Sequence, residues 1–434
     1  MSKLYLKVSL TSTLYRSAFE IVPEAISEDG RFIYVYYVTT FPFPQNPLEV
    51  ELFENVNGTL VSIASVTSVG DAFFSLGGSI DDGGANRDYT LFTVIDDNGQ
   101  QGANSGRIRL FSRTNNTFNT LATTYVNNVL ATSMGGGFFT DDNKYIVVTY
   151  TDVTTNNLVS LLLSTRVTAG TLSILDSFSI HGSISNNTGP LTNNPAVFRL
   201  CKCGKKVNYY LLGFSTVQFG TTPLLYQSPA LLNVYEIAFD KFKFIDSAVL
   251  NQFPTSYFAF DPLRHVRKNT NIIVSTNLAL LPSQPSIYRN TTDSQSFTGK
   301  GENLVQYNFD GCKLVRTIAK RFDTTLIVGN YYRDGKTFAL GNNNGIINNL
   351  LQTTPQLSTI VFEQAKEDEC KPTFKQIDGF ITGPPNEFSP LFSGNGKWLF
   401  VSGGNIPQAD GVTLGLNNIN LYRVHSNIEF ANEC

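Results

Sequence analysis

Charge is scarce in this chain. Asp, Glu, Lys and Arg make up 15% of the 434 residues, with 35 acidic side chains against 32 basic ones and a formal net charge of −3. The Lys and Arg are scattered, so the electrostatic footprint of a nucleic-acid binder is missing, and no acidic or basic tail is present. Long apolar runs are lacking as well. Nowhere do 18 apolar residues follow one another, which excludes an apolar membrane-spanning helix. The opening stretch MSKLYLKVSLTSTLYRSAFE alternates, with Leu4, Leu6, Val8 and Leu10 on one side; it has strand grammar and no signal-peptide core. The expectation is a chain of the cytoplasm, or one packaged in a particle or coat, in preference to a secreted one.

Helix periodicity is nearly absent: no long stretch repeats apolar residues at i, i+3, i+4 and i+7. Histidine is rare. His181, His265 and His425 are widely separated and carry no triad grammar, and no G-x-S-x-G elbow occurs. The five cysteines, Cys201, Cys203, Cys312, Cys370 and Cys434, are an odd number for a disulfide framework, and they read first as small thiols of a reducing compartment. The spacing does not decide whether any of them pair. Cys201 and Cys203 form a C-x-C, but no Cys or His stands at a partner spacing for zinc. Asn-x-Ser/Thr sequons begin at Asn57, Asn115, Asn186 and Asn290, as chance allows in a chain rich in Asn and Thr.

What the chain does have is 33 Phe, 19 Tyr and 34 Gly, the profile of strands joined by tight turns. It also repeats itself. The turn-then-strand words SEDGRFIYVYYV from Ser27, TDDNKYIVVTYT from Thr140 and SGNGKWLFVSGG from Ser393 share one pattern. Related words begin at Asp82, Lys206, Lys268 and Tyr332. From Ser27 to Ser393 is 366 residues in six steps, a mean period of 61. Each word is followed by an alternating strand, a polar turn and another strand, as in LEVELFENVNGTLVSIASV (Leu48 to Val66). Four antiparallel strands repeated seven times predict an all-β, seven-bladed β-propeller occupying residues 1–434 as one domain. Blade repeats are expected to start near residues 24, 75, 135, 194, 256, 325 and 388. Ser and Asp in the turn bond back to their own backbone, and Gly supplies positive φ. FIYVYYV hardly alternates, as suits a strand buried on both faces between neighbouring blades.

Lys3 to Ile21 is a surplus strand pair before the first word. A ring must close, and an open edge would leave backbone groups unpaired. Residues 3–21 are therefore expected to complete the last blade with residues 418–434, so that N- and C-terminal strands share it.

The words SEDGRFIYV and SGNGKWLFVS resemble the YVTN-type and lactonase-like seven-bladed propellers, which repeat a Ser-x-Asp-Gly turn before a Tyr-Val-type strand. WD40 likeness is weaker, because the single tryptophan, Trp398, precedes Leu399. The resemblance implies the architecture. Its lactonase-like branch further implies hydrolysis by acid and base groups around the central channel, and no residue here matches such a group position by position.

The remaining motifs read as structure. DDGG (Asp81 to Gly84) and DDNG (Asp96 to Gly99) offer carboxylates to Ca²⁺ without the EF-hand pattern, and are taken as turns. MGGGFF (Met134 to Phe139) lacks the Lys-Ser/Thr of a phosphate loop and reads as a strand crowded at the axis. DPLRHVRK (Asp261 to Lys268) reads as a solvated loop in preference to an anion site, and KCGKK (Lys202 to Lys206) as a hairpin tip. No catalytic, cofactor-binding or metal-binding residue and no cofactor is assigned. Long segments rich in Pro, Asn and Gly, among them TTFPFPQNPLEV, HGSISNNTGPLTNNP and GGNIPQADGVTLGLNN, are expected between the inner and outer strand pairs on one face. The function expected is that of a non-enzymatic interaction scaffold, or a structural component of an assembly, with another protein or an assembly surface as partner. The alternatives are a lactonase-like hydrolase at the channel and a carbohydrate- or surface-binding module.

Overall fold

The computed structural model describes residues 6–17, 20–38, 47–71, 84–96, 105–129, 135–155, 157–180, 196–202, 206–219, 225–250, 254–259, 268–276, 302, 304–322, 326–342, 359–368, 371–380, 388–402 and 416–426. Among them there is no helix, and none long and apolar enough to cross a membrane. The strands form seven antiparallel sheets set around an axis, a seven-bladed β-propeller.

Blade 1 runs outward through Glu20–Ile26, Phe32–Val38, Pro47–Val56 and Thr59–Asp71. Blade 2 has Leu91–Asp96, Ser105–Thr114 and Thr117–Asn127, with an isolated bridge from Ala85 to Phe92 at the innermost position. Blade 3 comprises Gly135–Phe139, Tyr145–Thr151, Leu158–Thr168 and Thr171–Ile180; blade 4 comprises Ala196–Lys202, Lys206–Phe219, Leu225–Ala238 and Lys241–Leu250. Blade 5 is Pro254–Ala259, Thr270–Thr276, Leu304–Phe309 and Leu314–Lys320, and blade 6 is Leu326–Tyr331, Thr337–Asn342, Thr359–Asp368 and Lys371–Phe380. Blade 7 takes Phe388–Phe392, Trp398–Ser402 and Leu416–Ser426 from the chain's end, and Leu6–Ser17 from its beginning as the outermost strand.

The termini thus share the closing blade, but the division differs from the expected one. Leu6–Ser17 is one strand, paired with Leu416–Ser426 from Leu6↔Ser426 to Ser17↔Leu416. Glu20–Ile26 is already the innermost strand of blade 1, so the surplus pair is split between two blades. Residues 427–434 lie outside the described residues. The near-continuous apolar words form the second strand from the axis, not the innermost one.

Burial explains why those words do not alternate. Ile33 and Val35 join a buried cluster with Trp398, Phe400 and Leu421 of blade 7, while Tyr34 between them joins Phe92 and Val94 of blade 2. Ile146 and Val148 likewise face blade 2, and Val147 faces blade 4. Each second strand therefore seals two seams at once. Every buried Val, Leu or Ile contributes about 1.5–3 kcal/mol to that sealing. The seven buried clusters are the seven seams between neighbouring blades.

The outermost strand of each blade carries a bulge. In blade 1, Leu52↔Ala64 and Phe53↔Ser62 leave Ile63 unpaired; in blade 4, Val234↔Asp246 and Tyr235↔Phe244 leave Ile245. A bulge strengthens the local twist and turns the strand edge toward the next blade. Asp176 there accepts from the Phe242 N–H of blade 4 at 2.8 Å, and Asp246 from the Leu314 N–H of blade 5 at 2.7 Å.

Antiparallel order sends the turns between strands 1 and 2, and between 3 and 4, to one face of the disc. The connections between strands 2 and 3, and those between blades, leave from the opposite face. Most of the Pro-, Asn- and Gly-rich segments belong to these connections and lie outside the described residues. HGSISNNTGPLTNNP follows the outermost strand Thr171–Ile180 and leads to blade 4, so it does not separate inner from outer pair in blade 3. In that blade the two pairs are joined by the short stretch 152–157.

Candidate functional site: the tight-turn face and the rim of blades 3 and 4

The turns between strands 1 and 2 follow from their side chains. In blade 1 the Ser27 hydroxyl donates to Asp29 Oδ1 at 2.7 Å and accepts from the Phe32 N–H at 2.8 Å. The same Asp29 oxygen accepts from the Arg31 N–H at 2.9 Å. Thr140 and Asp142 repeat this in blade 3, and Ser393 and Asn395 in blade 7. In blade 6, Asp334 accepts from the Lys336 and Thr337 N–H groups at 2.9 and 2.7 Å. Side-chain acceptors are thus folded back onto the backbone.

Neighbouring turns interlock. The Asn395 N–H donates to Glu28 O at 2.7 Å, and Asn395 Nδ2 to Asp29 O at 3.0 Å, joining blades 7 and 1. Arg333 Nη1 donates to Asn395 O at 3.1 Å, joining blades 6 and 7. Arg87 of blade 2 lies 3.6 Å from Glu28 and 3.1 Å from Asp141 of blade 3, and Asp141 also pairs with the buried Arg199 of blade 4. These charges tie blades together.

The seam of blades 3 and 4 differs from the rest. Its fully buried residues, among those described, are Val147, Leu162, Leu211 and Ile237. Half-buried aromatics complete it: Phe178 lies 4.3 Å from Tyr235 and 5.0 Å from Phe242, and the exposed Phe244 lies 5.6 Å from Tyr235, ring to ring. Above them sits the turn Phe239–Asp240, with φ of 54° and 60°. Two successive positive φ values describe a hairpin turn that favours Asn and Gly. Blade 1 uses Asn57 and Gly58 there, and blade 3 uses Ala169 and Gly170. Blade 4 places a phenylalanine, and the residue is 87% exposed. Asp240 Oδ1 accepts from the Tyr145 hydroxyl of blade 3 at 2.7 Å. Burial, and then that bond to a carboxylate, push the Tyr145 hydroxyl up to about 12; burial does the same for Tyr235. The turn is pinned to the neighbouring blade, and Phe239 stays largely exposed on it.

The sequence motifs fall out as follows. Gly135–Phe139 is the innermost strand of blade 3. Gly137, at φ +92°, lies so close to blade 2 that an added Cβ would meet Thr93 Oγ1 at 2.3 Å, so the small side chain answers a neighbouring blade. Lys202 pairs with Lys206 across the hairpin of blade 4. Asp81 to Gly83, residues 97–99 and Asp261 to Arg267 lie outside the described residues, as do His181, His265, Cys203, Cys370 and Cys434. His425 is exposed, with Nε2 3.2 Å from Ser9 Oγ, and Cys312 is an exposed free thiol. Among the described residues no group of three His, Cys, Asp or Glu is placed to hold a metal ion. Reading for catalytic motifs passes over Phe239; the signal was Phe-Asp at a tip where sister blades carry Asn-Gly or Ala-Gly.

The described residues define a seven-bladed β-propeller. No family model matches this chain, and no curated protein matches it. Among solved structures, a candidate 6-phosphogluconolactonase of Bacteroides uniformis ATCC 8492 is 12% identical, with 89% of this chain and 94% of that one covered at a TM-score of 0.49. One from Bacteroides fragilis NCTC 9343 is also 12% identical, covering 86% and 88% at 0.47. The β-propeller domain of the Trilobed protease from Pyrococcus furiosus, which has an open velcro topology, is 6% identical, covering 96% and 99% at 0.46. These similarities bring no activity to this chain.

Proposed function

We propose that this propeller is a non-catalytic interaction module that seats a protein partner on the rim of blades 3 and 4. The observation that carries the reading is Phe239, an aromatic residue 87% exposed at φ +54°. A side chain in that conformation costs about 1–2 kcal/mol relative to the ordinary helical region, and Asn or Gly would relieve most of it. A rigid ring held outward does suit an anchor for a partner's pocket, because little freedom is lost on binding. The bond from Tyr145 to Asp240 supplies the rigidity.

The test places a photo-crosslinking phenylalanine analogue at position 239, identifies the adduct from native material, and measures binding of the purified partner to the wild type and to Phe239→Asn. At least a tenfold loss in the variant, with unchanged fold, is expected. Equal binding by both proteins, or turnover of sugar lactones by the purified chain, sinks the reading.

A further inference from the structure

The chain places asparagine before glycine four times, at Asn57–Gly58, Asn98–Gly99, Asn344–Gly345 and Asn395–Gly396. Glycine has no side chain to shield its own backbone nitrogen, so that nitrogen can attack the amide of a preceding asparagine. The pairs at Asn98 and Asn344 lie outside the described residues. The other two are held in opposite ways.

Asn395–Gly396 is locked. Asn395 Oδ1 accepts from the Ser393 hydroxyl and from the Lys397 N–H, each at 2.9 Å, and Asn395 Nδ2 donates to Asp29 O at 3.0 Å. The Gly396 N–H donates to Ser393 O at 2.8 Å, and the Asn395 N–H ties the turn to Glu28 O of blade 1 at 2.7 Å. A Cβ at Gly396 would meet Tyr332 and Arg333 at 2.7 Å, so blade 6 crowds the same peptide. Ring closure here has to break three side-chain bonds and the Gly396 bond inside the closing seam.

Asn57–Gly58 is the tip of the outer hairpin of blade 1, with φ of 53° and 95° between Pro47–Val56 and Thr59–Asp71. Asn57 is exposed, and its side chain makes no hydrogen bond among the described residues. Gly58 is buried beside the N-terminal strand, where a Cβ would lie 3.2 Å from that of Thr11. Its N–H donates to Asn55 Oδ1 at 2.7 Å, and that one bond to a neutral amide is what ring closure has to break. Hairpin tips open locally far more readily than buried seams do.

We propose that Asn57 is a site of spontaneous covalent modification, deamidating through a cyclic imide with Gly58, while Asn395 is protected by the seam it helps to close. The Gly58 nitrogen gives up its proton to hydroxide and bonds to Cγ of Asn57. The Cγ–Nδ2 bond breaks, and the amide nitrogen takes a proton from water and leaves as ammonia. Water then opens the five-membered imide at either carbonyl. One product is aspartate in the normal chain. The other is isoaspartate, which lengthens the main chain of the turn by one methylene. Both add a negative charge at the tip. The site does not depend on Phe239.

The test keeps the purified full chain folded in mildly alkaline buffer for weeks, beside a sample in concentrated guanidinium chloride. Peptide mass spectrometry follows the gain of one dalton at each pair, and a protein isoaspartate methyltransferase scores the longer product. In the folded chain the Asn57 peptide should convert at least tenfold faster than the Asn395 peptide, and faster still as pH rises, with isoaspartate present. In denaturant the two rates should converge. Global unfolding exposes both pairs alike, so a difference between them reports the turns themselves. Equal rates in the folded chain overturn the proposal, as does a difference of the same size in denaturant. Conversion at Asn57 without isoaspartate overturns it too, because direct hydrolysis then replaces the imide.

Discussion

The seam that closes the ring, between blades 7 and 1, and the seam between blades 3 and 4 solve one packing problem in opposite ways. The closing seam buries Ile33, Val35, Phe53, Trp398, Phe400 and Leu421 among others, with the interlocked turns above them. Gly30, at φ +72°, approaches Trp398 so closely that an added Cβ would lie 2.3 Å from its ring. Arg16 of the N-terminal strand reaches across to the buried Glu51, Nη2 to Oε1 at 3.0 Å and Nε to Oε2 at 3.2 Å. The seam of blades 3 and 4 has a smaller dry core, half-buried aromatics and an exposed Phe239. Both turns hold positive φ. At Gly30 packing against Trp398 dictates the residue; at Phe239 a positive φ is held by a phenylalanine that stays largely exposed.

Four substitutions break or sharpen this contrast. Gly30→Ala should cost the most, about 3 kcal/mol, from the unfavourable φ and the overlap with Trp398 together. Denaturant unfolding measures it, and a loss no larger than that of Tyr145→Phe would erase the distinction between the seams. Arg16→Ala should follow at about 2 kcal/mol, because Glu51 is left buried without its bidentate partner. Loosening of the N-terminal strand should appear as faster hydrogen exchange over Leu6–Ser17. Tyr145→Phe should cost about 1 kcal/mol near neutral pH by leaving Asp240 without its donor. The Tyr145 hydroxyl has its folded pKa raised from the usual 10 to about 12, so its contribution is fully present below pH 10 and lost as pH rises through about 12. The variant should therefore lose stability less steeply than the wild type over that window, read by circular dichroism. The smallest effect runs the other way: Phe239→Asn should stabilise the chain by about 0.5–1 kcal/mol while removing the proposed rim anchor.

Much of the fold was legible in the repeat words. SEDG, TDDN and SGNG predict turns closed by their own side chains, and Ser27, Asp29, Thr140, Asp142, Ser393 and Asn395 make those bonds. Such contacts span five residues at most, so local chemistry suffices to foresee them. The split of residues 3–21 between two blades was not legible, because a strand's pairing partner depends on where the ring closes. The surfaces were less legible still. Phe239 hides inside an ordinary strand-turn-strand word, and its oddity emerges only beside the tips of other blades. Arg423 comes to lie over Trp398 only because strands far apart in the chain pair in blade 7.

By itself, then, the order of residues determined the repeating unit: which stretches form strands, which turns close them, and that one sheet needs others to cover both its faces. Those outcomes depend on interactions a few residues long and on the alternation of side chains. Only the tertiary structure decided which strand lies at the axis, which terminal segment seals the ring, and which charges and rings share a surface. Residues hundreds of positions apart become neighbours only when seven sheets close on one another, because apolar faces left uncovered by a single blade are buried by the next.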